Sequence, residues 1–359
     1  MQDTFYDIEE LENVIKNRHR IFLVTGKNSF EASGAREHIL PLTSDKVVHR
    51  FSDFDVNPKL EDITRGVREI TAFNPDLVIA VGGGSVMDIA KLISLIPEKS
   101  IEPVIRGKQA VPQKTIPVVA IPTTAGSGSE ATHFAVAYID DTKYSVADKQ
   151  LIPDFVILDA RLTTSMTSYL TAVSGMDALS QAIESYWAVG ATDESSDFAQ
   201  QAIRKILSVF PDVVHQPTLN TRKTMLEGAH LAGKAINISK TTGAHALSYK
   251  MTTLYGIPHG HAVGLSLPYF FELNFEKNKN SVLENKLCTI LGCKNALEAK
   301  NMLLKIMDQA GLKTQLTQLG ASKSEDILII AESVNTERLK NNPIEVSTGD
   351  LERIVRGIW

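Results

Sequence analysis

Short apolar runs alternate with amphipathic stretches throughout residues 1–161. The runs at 21–25 (IFLVT), 47–51 (VVHRF), 77–81 (LVIAV) and 118–121 (VVAI) are typical of buried strands, and 155–159 resembles one more. The stretches near 30–40, 58–73 and 86–96 have the pattern of helices between these strands. Residues 135–139 and 144–147 indicate a hairpin. This alternation predicts an α/β domain with a parallel sheet covered by helices on both faces.

The pattern changes at about residue 162. The stretches 177–189, 196–210, 222–238 and 296–310 have helical periodicity and few β-branched runs. We therefore expect two domains, an α/β domain at 1–161 and an all-α domain at 162–359. The cleft between two such domains is the expected place for a ligand site.

The composition is that of an ordinary globular protein, with 43% hydrophobic residues, 22% charged residues and a net charge of −5. The negative charge argues against nucleic-acid binding. Only two cysteines are present, which favours a reducing, cytoplasmic location. The acidic N-terminus does not have the pattern of a signal peptide, and no apolar run is long enough to span a membrane.

A glycine-rich loop follows the third strand and opens a helix. Gly83, Gly84 and Ser85 would let the backbone approach a phosphate at the helix N-terminus, and Asp88 and Lys91 follow on the first turns. The loop is not the GxGxxG fingerprint, so a simple capped turn is the alternative.

A second loop with hydroxyl groups follows the next strand. Thr123, Thr124 and Ser127 suit a nicotinamide ribose and its phosphate, although such clusters are often plain turns. Lys143, expected in the hairpin turn, could reach the same phosphates; a solvated lysine is the alternative.

The end of the first strand bears on the choice of cofactor. An acidic residue there commonly binds the adenosine ribose and repels a 2′-phosphate. Here Gly26, Lys27 and Ser29 follow the strand, and that repulsion is missing. We therefore expect NADPH to be accepted beside NADH.

Four polar side chains could hold a divalent cation. Asp177 and Gln181 are spaced i, i+4 and share one helix face. His245 begins another helical stretch, and His259 lies in a Pro-His-Gly turn. Each residue alone is more often a buried hydrogen-bonding group than a ligand.

Five segments together resemble the iron-containing (group III) alcohol dehydrogenase family. They are GGGSVMDIAK, IPTTAGSGSE, GMDALSQAIESYWA, GAHALSYKMTTLYGIPHGHAVG and VNTERLKNNP. The resemblance implies a dehydroquinate synthase-like fold, with a nucleotide-binding α/β domain and a helical metal-binding domain. It also implies an oxidoreductase whose metal is held by one Asp and three His. Gln181 stands at one histidine position, and three ligands for Fe²⁺ or Zn²⁺ remain.

Two further departures lie near the implied metal. Tyr249 replaces a family histidine, and it could donate a proton to the nascent alkoxide, with His261 as backup; helix packing is the alternative role. Lys240 stands where the family has small neutral residues. A lysine followed by two threonines at a helix start suits an anionic substrate group, and a solvated surface lysine is the alternative.

The segments around Lys240 and His259 resemble the phosphonoacetaldehyde reductase branch of the family. The resemblance implies reduction of phosphonoacetaldehyde to 2-hydroxyethylphosphonate. Three alternatives stay open, namely an alcohol dehydrogenase for simple aliphatic aldehydes, a dehydroquinate synthase-like lyase, and a metal-free nucleotide-binding protein. The resemblance allows a homodimer, but the sequence indicates no contact surface.

Overall fold

The computed structural model describes residues 2–95, 97–140, 142–278, 281–334 and 339–359. It consists of two compact units, Met1–Met166 and Thr167–Trp359. The division lies a few residues beyond the expected boundary at 161/162. Part of the late VNTERLKNNP segment, residues 335–338, lies outside the described residues.

The first unit contains a six-stranded sheet and a two-stranded hairpin. The strands are β1 (Asp3–Phe5), β2 (Arg20–Thr25), β3 (Val47–Phe51), β4 (Leu77–Gly82), β5 (Val118–Pro122), β6 (Phe134–Ile139), β7 (Thr142–Ala147) and β8 (Phe155–Ile157). The helices are α1 (Leu11–Ile15), α2 (Ser29–Ala32), α3 (Ala35–Leu42), α4 (Leu60–Phe73), α5 (Gly84–Ile93) and α6 (Ile101–Ile105). Short 3₁₀ turns lie at Ile8–Glu10, Glu98–Ser100, Ser129–Ala131, Lys149–Leu151 and Ala160–Thr163.

The large sheet has the order β1-β8-β5-β4-β2-β3, and every pairing in it is parallel. Every residue of β4 and β5 is buried, as expected for central strands with helices on both faces. Residues 21–25, 47–51, 77–81 and 118–121 are all strands, so the predicted α/β architecture is confirmed.

Three local predictions need correction. β1 was not predicted, because a three-residue strand with the sequence DTF carries little apolar signal, yet it pairs with β8. The stretch near 30–40 forms two helices, since Gly34 adopts a left-handed φ of 75° between them. Lys143 lies within β7 opposite Tyr138, not in the hairpin turn.

The ammonium group of Lys91 is a buried anchor in the first unit. Its Nζ donates to the carbonyl oxygens of Ser129, Thr132 (3.0 Å) and Phe134 (2.9 Å), and to the Ser129 hydroxyl (3.0 Å). Burial lowers the pKa of Lys91 to about 8, although nearby carboxylates oppose this effect. Lys91 therefore ties α5 to the segment that joins β5 to β6.

We predict that Lys91→Met destabilises the fold by about 2–4 kcal/mol, because several buried carbonyl groups lose their donor. Urea denaturation followed by circular dichroism measures the change. The exposed lysine in Lys108→Met is the matched control, and it should leave the midpoint unchanged. A Lys91→Met midpoint equal to that of the control would contradict the anchoring role.

The second unit is helical. Its helices are α7 (Ser168–Trp187), α8 (Asp193–His215), α9 (Leu219–Ser239), α10 (Gly243–Tyr255), α11 (His259–Lys277), α12 (Ser281–Leu291), α13 (Ala296–Gln309), α14 (Asp326–Glu332) and α15 (Thr348–Gly357), with a 3₁₀ turn at Leu316–Leu319. The predicted all-α domain is thus confirmed. Among the described residues, no helix is both long and apolar enough to cross a membrane.

Helix α7 is the central element of this unit and packs against α8, α9 and α11. It begins earlier than expected, at Ser168, because Thr167 caps it by accepting from the Leu170 N–H. Most of its residues are buried, including Asp177, Gln181 and Glu184. These three are spaced i, i+4 and i+7, so they form a polar stripe along one face of a buried helix.

Candidate active site

Three of the predicted ligands converge inside the second unit. The donor atoms of Asp177, His245 and His259 all lie within 4.8 Å of one another. The Nε2 atom of His245 is 3.4 Å from Oδ1 of Asp177. Each side chain comes from a different helix, namely α7, α10 and α11. Helix packing therefore creates this cluster, which no short stretch of sequence contains.

His259 is the first residue of α11, with Pro258 as the N-cap, and it does not lie in a turn as expected. The neighbouring glycine explains how α11 comes so close to α7. A Cβ atom at Gly260 would lie 2.2 Å from the Val173 carbonyl oxygen and 2.8 Å from Asp177 Cβ. Only glycine fits this contact, which brings His259 beside Asp177.

Gln181 lies one helical turn after Asp177, and only 4% of it is exposed. It shares the α7 face of Asp177, as the i, i+4 spacing predicted. An amide oxygen there could add a fourth, harder donor to the cluster.

Glu184 is the residue that sequence reasoning missed. It is fully buried, and its Oε1 accepts from the N–H groups of Thr242 (3.1 Å), Ala244 (2.9 Å) and His245 (3.3 Å). Its Oε2 is hydrogen-bonded to Nδ1 of His245. Glu184, which lies on α7, thus caps the N-terminus of α10 and orients the His245 ring. Its i+7 spacing from Asp177 was the available signal.

Protein partners set the tautomers of both histidines. The carboxylate of Glu184 can only accept, so His245 carries its proton on Nδ1. The Ser248 hydroxyl donates to the His245 carbonyl (2.8 Å), so it accepts from Nδ1 of His259 (3.3 Å). Because Nδ1 of each ring is engaged by the protein, Nε2 is the atom that would bind a metal.

The electrostatics of the cluster also suit a cation. Burial lowers the pKa of His245, but the carboxylates of Glu184 and Asp177 outweigh burial and raise this pKa to about 10. Within the described residues, the buried His245 Nε2 faces Asp177 Oδ1 at 3.4 Å and makes no well-formed hydrogen bond. One carboxylate and two imidazoles with carboxylate or hydroxyl support are a fitting donor set for Fe²⁺ or Zn²⁺.

The two candidate proton donors are placed differently. The Tyr249 ring stacks on the His259 ring, with centroids 5.6 Å apart and an interplanar angle of 7°. His261 lies two residues beyond His259, so its side chain points about 200° away around α11. Its ring nitrogens contact the Lys313 carbonyl (2.7 Å) and the Tyr169 hydroxyl (3.3 Å). Only Tyr249 lies against the ligand cluster.

The start of α10 offers neither its first N–H groups nor the Thr242 hydroxyl to a substrate, so one of the two expected threonine donors is engaged by the protein. The Glu184 carboxylate already accepts from these N–H groups, and it also accepts from the Thr242 hydroxyl (2.7 Å). Trp187 donates to that same hydroxyl (2.9 Å). Of the three residues 240–242, Lys240 is exposed and Thr241 is half-buried.

The two predicted nucleotide loops meet in the first unit, at the ends of adjacent strands β4 and β5. A Cβ atom at Gly83 would lie 3.5 Å from the Thr124 hydroxyl, and one at Gly84 would lie 2.9 Å from the Ser127 hydroxyl. The Thr123 N–H donates to the Gly82 carbonyl (3.0 Å). The N-terminus of α5 and these hydroxyls thus share one edge of the sheet, and helix N-termini favour phosphate groups.

The other predicted cofactor residues have protein contacts. Asp88 accepts from the Ser129 hydroxyl (2.7 Å) and the Val136 N–H (3.1 Å), and burial raises its pKa. Asp88 thus holds the second loop in place. The Ser85 hydroxyl accepts from the Asn57 N–H (3.1 Å).

The loop after β2 has an acidic neighbour that the sequence did not reveal. A Cβ atom at Gly26 would lie 2.2 Å from the Ser29 hydroxyl, which explains the glycine. Lys27 Nζ lies 3.4 Å from a carboxylate oxygen of Asp53 and 3.4 Å from one of Asp55. Two carboxylates from the segment after β3 therefore lie beside the loop that follows β2.

Comparison with known proteins identifies the family. The family model described as iron-containing alcohol dehydrogenase matches residues 5–160, and its C-terminal counterpart matches residues 171–359. The chain belongs to the iron-containing alcohol dehydrogenase family. It is 32% identical, over 83% of its length and 76% of the relative's, to a probable alcohol dehydrogenase, EutG, of Escherichia coli.

Solved structures of family members agree with this fold. A sulfoacetaldehyde reductase of Bifidobacterium kashiwanohense, in complex with NAD⁺, is 29% identical with a TM-score of 0.93, covering 99% of this chain and 96% of that one. An iron-containing alcohol dehydrogenase of Thermotoga maritima is 30% identical with a TM-score of 0.87, covering 99% and 97%. The chain is thus an oxidoreductase of this family.

We predict that Glu184→Gln weakens metal binding by about 10–100-fold, the usual effect of losing a carboxylate that supports a histidine ligand. The amide oxygen would still accept from the α10 N–H groups, so its NH₂ would face Nδ1 of His245. That contact favours a proton on Nε2, the atom that faces Asp177. Competition with a chelator measures the affinity independently of activity.

The exposed glutamate in Glu332→Gln, at the end of α14, is the matched control for this substitution. It should bind the metal as the parent protein does. Equal metal affinity for Glu184→Gln and this control would show that Glu184 does not support the metal.

Proposed function

We propose that the chain is a metal-dependent NAD(P)H oxidoreductase that reduces a small anionic aldehyde to a primary alcohol, with phosphonoacetaldehyde as its substrate. The product would be 2-hydroxyethylphosphonate. One hydride and one proton add across the C=O bond, and NAD(P)H becomes NAD(P)⁺.

The backbone of Lys240 is the observation that carries the substrate proposal. Lys240 ends α9 with φ 64° and ψ 173°, a conformation that is almost exclusive to glycine. Holding another residue there costs about 1–3 kcal/mol. The chain nevertheless has an exposed lysine at this position, three residues before the first residue of the helix that carries His245. The lysine is kept despite this cost, we propose, because substrate binding requires its positive charge.

The sulfoacetaldehyde reductase relative supports the same substrate class. A sulfonate and a phosphonate are both tetrahedral groups with negatively charged oxygen atoms, and a lysine ammonium recognises either one as a point charge. We propose that Lys240, with the Thr241 hydroxyl as a second donor, holds the phosphonate. Thr242 has no part in this, because its hydroxyl is engaged by Glu184 and Trp187.

Asp177, His245 and His259, with Gln181 as a possible fourth ligand, would hold Fe²⁺ or Zn²⁺. A divalent cation bound there supplies Lewis acidity that polarises a carbonyl group. Glu184 keeps the His245 ring in the orientation and tautomer that this role requires.

Tyr249 is the proposed proton donor. Its ring lies against His259, so its phenol belongs to the same group of side chains as the ligands. His261 is less suited, because burial lowers its pKa and its ring already contacts Lys313 and Tyr169. We therefore assign the proton to the Tyr249 hydroxyl and not to the His261 ring.

The cofactor would bind to the first unit. Gly83, Gly84 and Ser85 would bind the pyrophosphate, and Thr123, Thr124 and Ser127 the nicotinamide ribose. Lys143, on β7, lies close enough to Asp88 to act on its pKa. Its positive charge would also attract the cofactor phosphates. Gly26, Lys27 and Ser29 would lie beside the adenosine part of the cofactor, away from the nicotinamide ring that carries the hydride.

We predict that Lys240→Ala raises the KM for phosphonoacetaldehyde by about 10–100-fold, the effect of losing a charged hydrogen bond. The KM for propanal, which has no charge, should stay the same. Steady-state NAD(P)H oxidation measures both values, and sulfoacetaldehyde is a third substrate arm.

Lys223→Ala is the matched control, since Lys223 is an exposed lysine about 25 Å away along α9. Equal effects of Lys240→Ala on the charged and uncharged aldehydes would reject the phosphonate role. Propanal as the best substrate of the parent protein would favour the simple aliphatic alternative.

We predict that replacing both Asp53 and Asp55 with Asn raises kcat/KM for NADPH relative to NADH by about 3- to 10-fold. Each exposed carboxylate near Lys27 would repel a 2′-phosphate by a fraction of a kcal/mol to about 1 kcal/mol. Asp45→Asn is the control, because this exposed residue precedes β3 and lies at the opposite end of the strand. An unchanged cofactor ratio would contradict this account of cofactor choice.

A further inference from the structure

The Asn341 side chain, from a distant part of the chain, contacts the segment around Lys240. Nδ2 of Asn341 donates to the carbonyl oxygens of Ser239 (2.8 Å) and Thr241 (3.0 Å). These two carbonyl groups flank Lys240 on either side. One amide therefore bridges the peptide group before Lys240 and the Thr241–Thr242 peptide group.

The orientation of the Asn341 amide is determined by its surroundings. Its Oδ1 accepts from the Gly190 N–H (3.0 Å), and its backbone carbonyl accepts from the Val189 N–H (2.9 Å). Turning the amide over would place Oδ1 against two carbonyl oxygens and the NH₂ group against an N–H group. Asn341 is thus fixed as a donor to the Lys240 segment.

The backbone of Lys240 is fixed at its start as well. The Lys240 N–H donates to the Ile236 carbonyl (2.9 Å), the last turn of α9. The Thr242 N–H donates to Glu184 (3.1 Å). The segment between α9 and α10 is therefore anchored at both ends, and Asn341 holds the part between the two anchors.

We infer that Asn341 is a positioning residue for substrate charge. It holds Lys240 in the left-handed backbone conformation that directs the ammonium group to the anionic end of the aldehyde. This inference rests on the proposed function of Lys240. Among the described residues, the hydrogen-bond partners of the Asn341 side chain are backbone groups. Asn341 would therefore act by fixing the backbone of the segment and not by touching the substrate.

The inference makes two separate predictions. Loss of the Asn341 amide should raise the KM for phosphonoacetaldehyde by about tenfold and leave the KM for propanal within about twofold. The strain at Lys240 should also depend on Asn341. Lys240→Gly should raise the Tm by about 2–4 °C in the parent protein, and by less in an Asn341→Ala background.

The experiment compares the parent protein with Lys240→Ala, Lys240→Gly, Asn341→Ala and the double variant of Lys240→Gly with Asn341→Ala. Steady-state kinetics with phosphonoacetaldehyde and propanal give the KM values, and thermal unfolding gives the Tm. Asn301→Ala, at an exposed position of α13, is the matched control. Asn341→Asp is a second variant that keeps the acceptor for Gly190 if the alanine variant does not fold.

The outcomes separate this inference from the proposed function. A tenfold effect of Asn341→Ala on the charged aldehyde alone, with a smaller Tm gain from Lys240→Gly in that background, supports both. If Lys240→Ala raises the KM and Asn341→Ala does not, the positioning role is overturned and the proposed function stands. If Lys240→Ala has no effect on either aldehyde, the proposed function fails and the specificity role of Asn341 fails with it.

Discussion

The buried carboxylate of Glu184 is the group on which the site in the helical unit depends. It accepts from the first N–H groups of α10, where no local side chain caps the helix, and it holds Nδ1 of His245. Anions are favoured at helix N-termini, so the carboxylate stabilises α10 and orients the ligand at once. A buried carboxylate also favours a positive charge nearby, and the Nε2 side of His245 is where that charge would lie. One side chain therefore stabilises the start of α10, sets the tautomer of His245 and favours a cation at the Nε2 side of this ring.

Most of the fold could be predicted from the pattern of apolar residues. Four long apolar runs became central or flanking strands, and the four helical stretches of the second half became long helices. Short elements were missed, since β1 has three residues and its stability comes from pairing with β8. The ligand cluster was proposed from its residue types and from the family resemblance, because spacing alone relates Asp177 to Gln181 but not to His245 or His259. Glu184 and Asn341 were not found, since their hydrogen-bond partners lie far away in sequence.

Lys240, the residue proposed to bind the substrate, is positioned in a different way from the candidate metal ligands. The ligands lie on helices whose close packing requires a residue without a side chain, as at Gly260. Lys240 lies instead on a short connection with an unfavourable backbone, and distant hydrogen bonds from Asn341 hold it.

The central claim is that the convergence of Asp177, His245 and His259 is a metal site ordered by Glu184. The most direct measurement is a crystal structure of the protein purified without chelator and soaked in Fe²⁺ or Zn²⁺, with anomalous scattering used to locate the ion. The account predicts one strong anomalous peak at bonding distance from Nε2 of His245, with Nδ1 of the same ring still hydrogen-bonded to Glu184. An ordered cluster with no anomalous peak among these three side chains would contradict it.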